Sequence, residues 1–269
     1  SNINSYLDTP SNVIYTPAQD VNGVGAATLS LSVNDNDGSG DVSMGSVPIN
    51  ITAVNDAPSV SGVFGDTSSQ VTAGSGAVNV TGLDDATLSN IDSSDYNGGA
   101  LTLAQNTGTT NGSWGLDGIK VTAGGDGAIS AGETIAVGGT NIGTVDGTSD
   151  GQGGSALNIT LNANATDATI QQLIRALTYE APSGLGDRSF TLELNDGDGT
   201  LNGGDATSSG SFTIAVTPNP PVLSGLDGDS VTFTEAGAPV RLDMGGNATV
   251  SDVDSTDFNG GALTVSIAG

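Results

Sequence analysis

Two short loops of the sequence combine Asp, Asn and Gly in a pattern typical of an oxygen-rich cation site. Residues 34–38 read Asn-Asp-Asn-Asp-Gly and residues 195–199 read Asn-Asp-Gly-Asp-Gly, each directly after an apolar segment. Calcium takes about six to eight oxygen ligands, and acidic side chains at alternating positions can surround one ion while Gly permits the tight turn. An Asp-rich hairpin turn without metal is the alternative, and recurrence in a very acidic chain favours calcium. The predicted ligands are Asn34, Asp35, Asp37, Asp196 and Asp198.

A second acidic group lies near the end of the sequence. Asp252 and Asp254 share one side of an extended segment, and Glu235, expected on the preceding strand, can close the shell around the same ion. The corresponding residues of the internal repeat described below are Asn90, Asp92 and Asp95, with Ala73 in place of the Glu (235−162=73). We therefore expect weaker binding at Asp92. Polar surface residues at a strand end are the alternative.

Asp56 is a third candidate because it lies in the segment 53–58, which reads Ala-Val-Asn-Asp-Ala-Pro. A carboxylate at a join between two domains can ligate an ion that both share, and such an ion stiffens a hinge. Asn219 stands at the corresponding later join, which predicts a poorer metal site there. A simple proline linker is the alternative.

The charge balance excludes several classes of function. The 269 residues include 30 acidic and four basic residues, with no His and no Cys, for a formal net charge of −26. The usual general bases, thiol nucleophiles and Cys/His zinc sites are therefore missing, and we predict that the chain is not an enzyme. Four basic residues cannot form a nucleic-acid surface. Alternating apolar residues favour a folded chain, neutralised by divalent cations, over a disordered one.

Three motifs recur at nearly the same spacing, which indicates an internal repeat. Asn97-Gly98-Gly99 returns at residue 259 (259−97=162), Asn34-Asp35 at 195 (195−34=161) and Ser61-Gly62 at 224 (225−62=163). We predict that residues 1–58 close one repeat, 59–221 form a complete one and 222–269 open a third. The chain has no membrane-length apolar segment or signal peptide, and Ser1 begins in mid-pattern, so we expect an internal fragment or processed product and no membrane insertion.

The apolar pattern predicts an all-β fold with one short helix in each repeat. Period-two alternation, as at Leu101 and Leu103, is typical of half-buried antiparallel strands, and each repeat accommodates about seven to nine of them in a Greek-key β-sandwich. The segment from Asp167 to Leu177 instead has apolar residues at helical spacing, with Thr166 or Asp167 as its cap. Asp146-Gly147 is expected to form a hairpin turn.

Catalytic carboxylates and a carbohydrate site are the alternatives to these structural interpretations. A glycosidase needs two acids across a cleft, normally with aromatic platforms, whereas the acids here lie in turn loops. Trp114, the single tryptophan, can stack on a sugar, but a lone aromatic residue of this kind more often packs at a strand end.

The repeat resembles the cadherin-like, immunoglobulin-like tandem repeats of giant bacterial surface adhesins and biofilm-associated proteins. The resemblance rests on four pieces: the 53–58 join, the block 254–265, the run 161–179 and the Asn-Asp-x-Asp-Gly loops. It implies cadherin-type sandwiches, export from a Gram-negative bacterium to the cell surface, and service as a calcium-stiffened stalk or spacer. The ligands that it implies are Asp35, Asp37, Asp56, Asp196, Asp198, Glu235, Asp252 and Asp254.

Two rivals to the stalk remain open. The repeats can belong to a self-assembling extracellular filament or sheath, or to a carbohydrate-binding module. The expected partners are neighbouring repeats of the same chain, further copies in a filament, and surface glycans or proteins.

Overall fold

A computed structural model describes residues 3–66 and 69–267. The chain is all-β, with 39% of it in strands and 7% in helices, as the alternation predicts. Its elements are α1 Ile3–Leu7, β1 Gly23–Val33, β2 Val42–Ile51, β3 Ser59–Ser61, β4 Ser69–Thr72, β5 Val78–Asn79, β6 Thr87–Ser89, β7 Ala100–Thr107, β8 Ser113–Leu116, β9 Val121–Ala123, β10 Thr134–Val137, β11 Thr140–Asp150, β12 Leu157–Leu161, α2 Asp167–Arg175, β13 Leu177–Glu180, β14 Gly186–Asn195, β15 Thr207–Thr217, β16 Val222–Ser224 and β17 Thr249–Ser251. Short 3₁₀ turns lie at Thr81–Leu83 and Leu201–Gly203.

The chain forms two compact units. The first consists of Ser1–Ala57 with Gly199–Ala206, and the second of Pro58–Asp198 with Thr207–Gly269. In the first unit β1 and β2 form an antiparallel hairpin whose side chains are mostly exposed. Within that unit Asn202 Nδ2 donates a hydrogen bond of 3.0 Å to the Ala53 carbonyl, and Asp205 N donates one of 3.0 Å to the Asn55 carbonyl.

Two sheets of the second unit enclose a single hydrophobic core. An eight-stranded sheet has the order β4-β15-β14-β7-β12-β11-β10-β9, in which β4 is parallel to β15, and a three-stranded sheet has the order β5-β13-β8. Trp114 of β8 lies with its ring 4.9 Å from Tyr179 of β13 and 5.1 Å from Phe190 of β14. Because these rings come from both sheets, burial of apolar area holds the sheets together.

Helix α2 confirms the helical pattern, with an earlier end than predicted. Thr166 caps it: its side chain accepts from Thr169 N, and the Thr169 side chain accepts from Thr166 N. Such a cap satisfies amide groups that have no intrahelical partner. Ile170, Leu173 and Ile174 are buried, whereas Leu177 belongs to β13 because the chain turns into that strand after Arg175.

Asp146-Gly147 was wrongly predicted to be a turn and lies inside β11. The pairing of β11 with β12 shifts register between Val145 and Asp150. Asp146 Oδ1 there accepts from Thr148 N at 2.8 Å and Ser149 N at 2.9 Å, and these bonds lower the pKa of the carboxyl group. The Asp-Gly pair therefore lies at an irregularity within a strand and not at a turn between two strands.

Local hydrogen bonds recur between the copies of the repeat. Ser61 Oγ lies 2.6 Å from Thr87 Oγ1 across β3 and β6, and Ser224 Oγ lies 2.8 Å from Thr249 Oγ1 across β16 and β17. Gly62 and Gly225 both have positive φ, at 71° and 74°. After β17, no strand is assigned in the described residues up to 267. In the described part of the chain, no helix is long and apolar enough to cross a membrane.

Candidate metal centre

Strand pairing places two acidic loops of the second unit at the same end of the large sheet. The loop 90–99 leads into β7, and the loop that begins at Asp196 follows β14. β7 and β14 are antiparallel neighbours, with Ala100 opposite Asn195 and Leu101 opposite Leu194. The first residues of β7 therefore lie beside the last residues of β14, and the loops beyond them must meet.

Three carboxylates from these loops form one cluster. Asp92, Asp196 and Asp198 each offer an oxygen atom within 4.8 Å of the others. Asp196 is fully buried, whereas Asp92 and Asp198 are exposed. Two like charges about 4 Å apart repel by roughly 1 kcal/mol in water and by roughly 4 kcal/mol at an effective dielectric constant of 20. A cation among the three would attract each carboxylate and so offset their mutual repulsion.

Gly197 allows the two loops to approach closely. Its φ is 88°, and a Cβ at this position would lie 2.5 Å from the Asn97 carbonyl oxygen and 2.6 Å from Gly99 N. Only a residue without a side chain fits such a contact. Within the same loop Asp198 N donates a hydrogen bond of 2.9 Å to Asp196 Oδ1, which orients the buried carboxylate.

Helix α2 fixes the loop that carries Asp92. Asp167, in the first turn of the helix, accepts from Tyr96 Oη at 2.7 Å and from Asn90 N at 3.2 Å. Burial raises the pKa of the Tyr96 hydroxyl, and the hydrogen bond and charge of Asp167, together with the charge of Asp196, raise it further. The hydroxyl therefore remains a proton donor to Asp167. Tyr96 and Asp167 hold the loop on both sides of Asp92, a role that the sequence did not reveal.

Asn90 brings an unsatisfied polar group to this loop. The residue is 9% exposed, and neither its side-chain oxygen nor its side-chain nitrogen has a hydrogen-bond partner among the described residues. Buried polar groups in proteins are almost always paired with protein, water or an ion. An amide oxygen two residues from Asp92 is a further ligand of the kind that calcium prefers.

The donor set fits a hard divalent cation. The three carboxylates supply about three to six oxygens, and water or backbone carbonyls complete the six to eight that calcium takes. With no His or Cys in the chain, a ligand set for softer metals is missing. Residues 92, 196 and 198 are all among the predicted ligands, but the sequence assigned Asp92 to a separate and weaker site.

The loop at residues 34–38 keeps the local geometry of its counterpart and gathers no third carboxylate among the described residues. Asn34 Oδ1 accepts from Asn36 N at 2.7 Å, and Asp35 Oδ1 accepts from Asp37 N at 3.2 Å. Asp37 Oδ1 accepts from Ser39 N at 2.8 Å, and hydrogen bonds from Ser39 are the main reason that its pKa is lowered.

The remaining predicted ligands do not belong to this group of three carboxylates in the described residues. Asp254 Oδ2 accepts from Asn219 N at 2.7 Å, which is the largest contribution to the lowered pKa of Asp254, and Asp252 Oδ1 accepts from Asp254 N at 3.1 Å. Glu235 is exposed in a turn rather than on the expected strand. Asp56 is half-buried and belongs to no group of three carboxylates in the described residues.

Trp114 is a core residue, with 4% of its surface exposed. Its ring contacts Tyr179, Phe190 and Phe212, as a strand-packing residue does. The indole face is therefore not available as a platform for a sugar ring, and the carbohydrate interpretation loses the aromatic residue on which it mainly depended.

No protein-family model matches this chain, and no curated protein matches its sequence.

Proposed function

We propose that this chain is a calcium-binding structural region of an extracellular surface protein. Each complete repeat would be a cadherin-like Greek-key sandwich, and the calcium would be held among Asp92, Asp196 and Asp198. The observation that carries the proposal is the convergence of these carboxylates from loops about 100 residues apart (196−92=104).

Calcium would act mechanically rather than catalytically. Without an ion, repulsion among the carboxylates favours separation of the two loops; with one, coordination ties β7 and β14 together at their shared end. Asp198 directly precedes Gly199–Ala206, the segment that belongs to the first unit. An ion bound here would restrain the end of β14 within the second unit, which suits a stiff stalk or spacer.

A surface location agrees with the charge of the chain. A net charge of −26 keeps repeats soluble and mutually repulsive, and millimolar calcium outside cells can neutralise part of it. A large Gram-negative surface protein and service as its stalk are proposals that rest on the resemblance of the repeat motifs. A self-assembling filament is the rival function.

Thermal unfolding with calcium and with chelator tests the proposal. At a hundredfold excess over Kd a bound ion adds about 2.7 kcal/mol, which corresponds to a rise in Tm of roughly 5–10 °C. Magnesium should not reproduce this rise because it requires a more rigid octahedral shell.

Substitutions then locate the ion. Asp92→Asn and Asp196→Asn should abolish the calcium-dependent rise, whereas Asp35→Asn, the counterpart of Asp196 in the first copy, should leave it intact. Asp92 is exposed, so its substitution carries little risk of misfolding. Equal melting of the unmodified chain in calcium and chelator would refute the proposal.

A further inference from the structure

The second unit brings two basic side chains together in a very acidic chain. The whole sequence has four basic residues against 30 acidic ones. Arg188 is fully buried, and Arg241 pairs with Asp243 at 3.5 Å. The other two, Lys120 and Arg175, come from the loop before β9 and from the last residue of α2, and they line the same open pocket of about 320 Å³.

The protein itself does not neutralise these two cations. Within the described part of the chain, neither Lys120 nor Arg175 forms an ion pair with a carboxylate. Asp117 also lines the pocket, but its Oδ1 accepts from Ile119 N at 3.0 Å, Lys120 N at 3.2 Å and Val121 N at 3.0 Å. That carboxylate therefore shapes the loop that carries Lys120. Two basic side chains that remain without a carboxylate partner in so acidic a chain favour an anionic ligand.

A backbone carbonyl holds the Arg175 side chain in place. Its Nε donates a hydrogen bond of 2.9 Å to the Ala86 carbonyl, whereas its two terminal nitrogens have no hydrogen-bond partner among the described residues. The planar guanidinium can present both nitrogens to one carboxylate, which is the arrangement that makes arginine a strong and specific partner for this group. Lys120 is exposed and can add a further donor.

The rest of the pocket lining combines hydrogen-bond acceptors with apolar surface. Among the described residues no hydrogen bond reaches Asp117 Oδ2 or Gln172 Oε1, so both oxygens can accept from hydroxyl groups. Val121 and Ala176 supply apolar surface. A ligand that matches all of these groups has a carboxylate, several hydroxyl groups and a C–H face, as a sugar acid does. An acidic protein side chain has no hydroxyl groups for the two acceptors.

We propose that this pocket binds a sugar acid, the hexuronate unit of a glycan. Arg175 and Lys120 hold its carboxylate, and Asp117 and Gln172 accept hydrogen bonds from its hydroxyl groups. The net charge of −26 opposes a polymer that is acidic at every unit, so a glycan with isolated acidic units is the favoured source. The inference goes beyond the proposed stalk and does not depend on calcium at Asp92.

An NMR titration of the 269-residue chain in calcium-free buffer tests the proposal. Glucuronate should shift the amide signals of residues 117–121 and 172–176, and the shifts should reach saturation. Glucose has the same ring without the carboxylate, and acetate has a carboxylate without hydroxyl groups. Each should bind about tenfold or more weakly than glucuronate, because each loses hydrogen bonds that involve a charged group.

Substitutions that each remove one positive charge locate the ligand. Lys120→Gln and Arg175→Gln should weaken glucuronate binding about tenfold or more, since each removes a charged donor. Arg241→Gln changes the net charge equally at a residue outside the pocket lining, and it should bind glucuronate as the unmodified chain does. Lys120 is exposed, so its variant keeps the test decisive if loss of the bond to Ala86 destabilises Arg175→Gln.

Three results would overturn the proposal. The first is a titration without saturable shifts, and the second is equal affinity of Lys120→Gln and Arg241→Gln for glucuronate. The third is acetate binding as tight as that of glucuronate, because the pocket would then recognise a carboxylate alone. Since these titrations contain no calcium, their failure leaves the calcium proposal intact, and equal melting in calcium and chelator leaves the sugar-acid pocket intact.

Discussion

Residues 59–221, which the sequence predicts to be the complete copy of the repeat, and the flanking segments predicted to be partial copies contain similar residues in different surroundings. Tyr96 is 0% exposed and its counterpart Phe258 is 51% exposed; Leu103 is 0% exposed and Val265 is 76% exposed. The local hydrogen bonds are nevertheless shared: Ser93 Oγ donates to the Asp95 carbonyl and Ser255 Oγ to the Asp257 carbonyl, at 2.8 and 2.6 Å. Local geometry therefore follows local sequence, whereas burial depends on strands that are distant in the chain.

The acidic loops show the same difference between local geometry and contacts with distant parts of the chain. Asp35 and Asp196 occupy corresponding positions, and each accepts a hydrogen bond from the amide two residues later. In the described residues Asp196 belongs to a group of three carboxylates, and Asp35 does not. A candidate ligand becomes part of a site only where both loops are present.

The largest expected difference between the copies is in core stability. Leu103→Ala should lower the free energy of unfolding of the complete copy by about 2–5 kcal/mol, because it leaves a cavity in a tightly packed core. Val265→Ala, at the corresponding and largely exposed position, should change it by less than about 0.5 kcal/mol. Urea unfolding followed by Trp114 fluorescence measures both. Equal losses would show that the two copies are packed alike.

Gly197→Asn tests whether the close approach of the loops builds the site. The first copy has Asn36 at this position, with φ of 62°, so the backbone conformation tolerates Asn. In the complete copy the new side chain would collide with Asn97 and Gly99, which should cost about 1–3 kcal/mol and weaken calcium binding. The reverse change, Asn36→Gly, should affect neither property. If Gly197→Asn leaves the calcium affinity unaltered, calcium binding does not depend on the close approach of the two loops at this residue.

Tyr96→Phe should have the smallest effect, because it introduces the residue that the third copy already has at position 258. Loss of the hydrogen bond to Asp167 should cost about 1 kcal/mol and weaken calcium binding, since the loop around Asp92 is then less restrained. Tyr179→Phe removes another buried hydroxyl, which accepts from Arg188 Nη1 at 2.9 Å. It should also destabilise the fold, but calorimetry should show unchanged calcium affinity. Equal affinities for the two variants would argue against a positioning role for Tyr96.

The period-two and helical patterns were sufficient to predict the all-β class and helix α2. Residues such as Leu101, Leu103 and Phe190 lie on strands and are buried as expected. Thr166 was recognisable as a cap because capping chemistry is local. The helix end and the irregularity at Asp146 were missed, since each depends on the strand that pairs or packs beside it.

The composition of the acidic cluster could not be predicted from spacing alone. Asp92 and Asp196 are separated by 104 positions, and only the pairing of β7 with β14 brings their loops together. The hydrogen bonds by which Asp167 and Tyr96 hold the Asp92 loop were missed for the same reason. The repeat offers one way to predict such contacts. Once the strand pairing of one copy is known, it predicts which loops lie together in the other copies.

A crystal structure determined in millimolar calcium would show whether the acidic cluster binds an ion. We predict an anomalously scattering ion among Asp92, Asp196 and Asp198, with about six to eight oxygen ligands at about 2.3–2.6 Å. Water alone between these side chains, with the carboxylates turned apart, would contradict it.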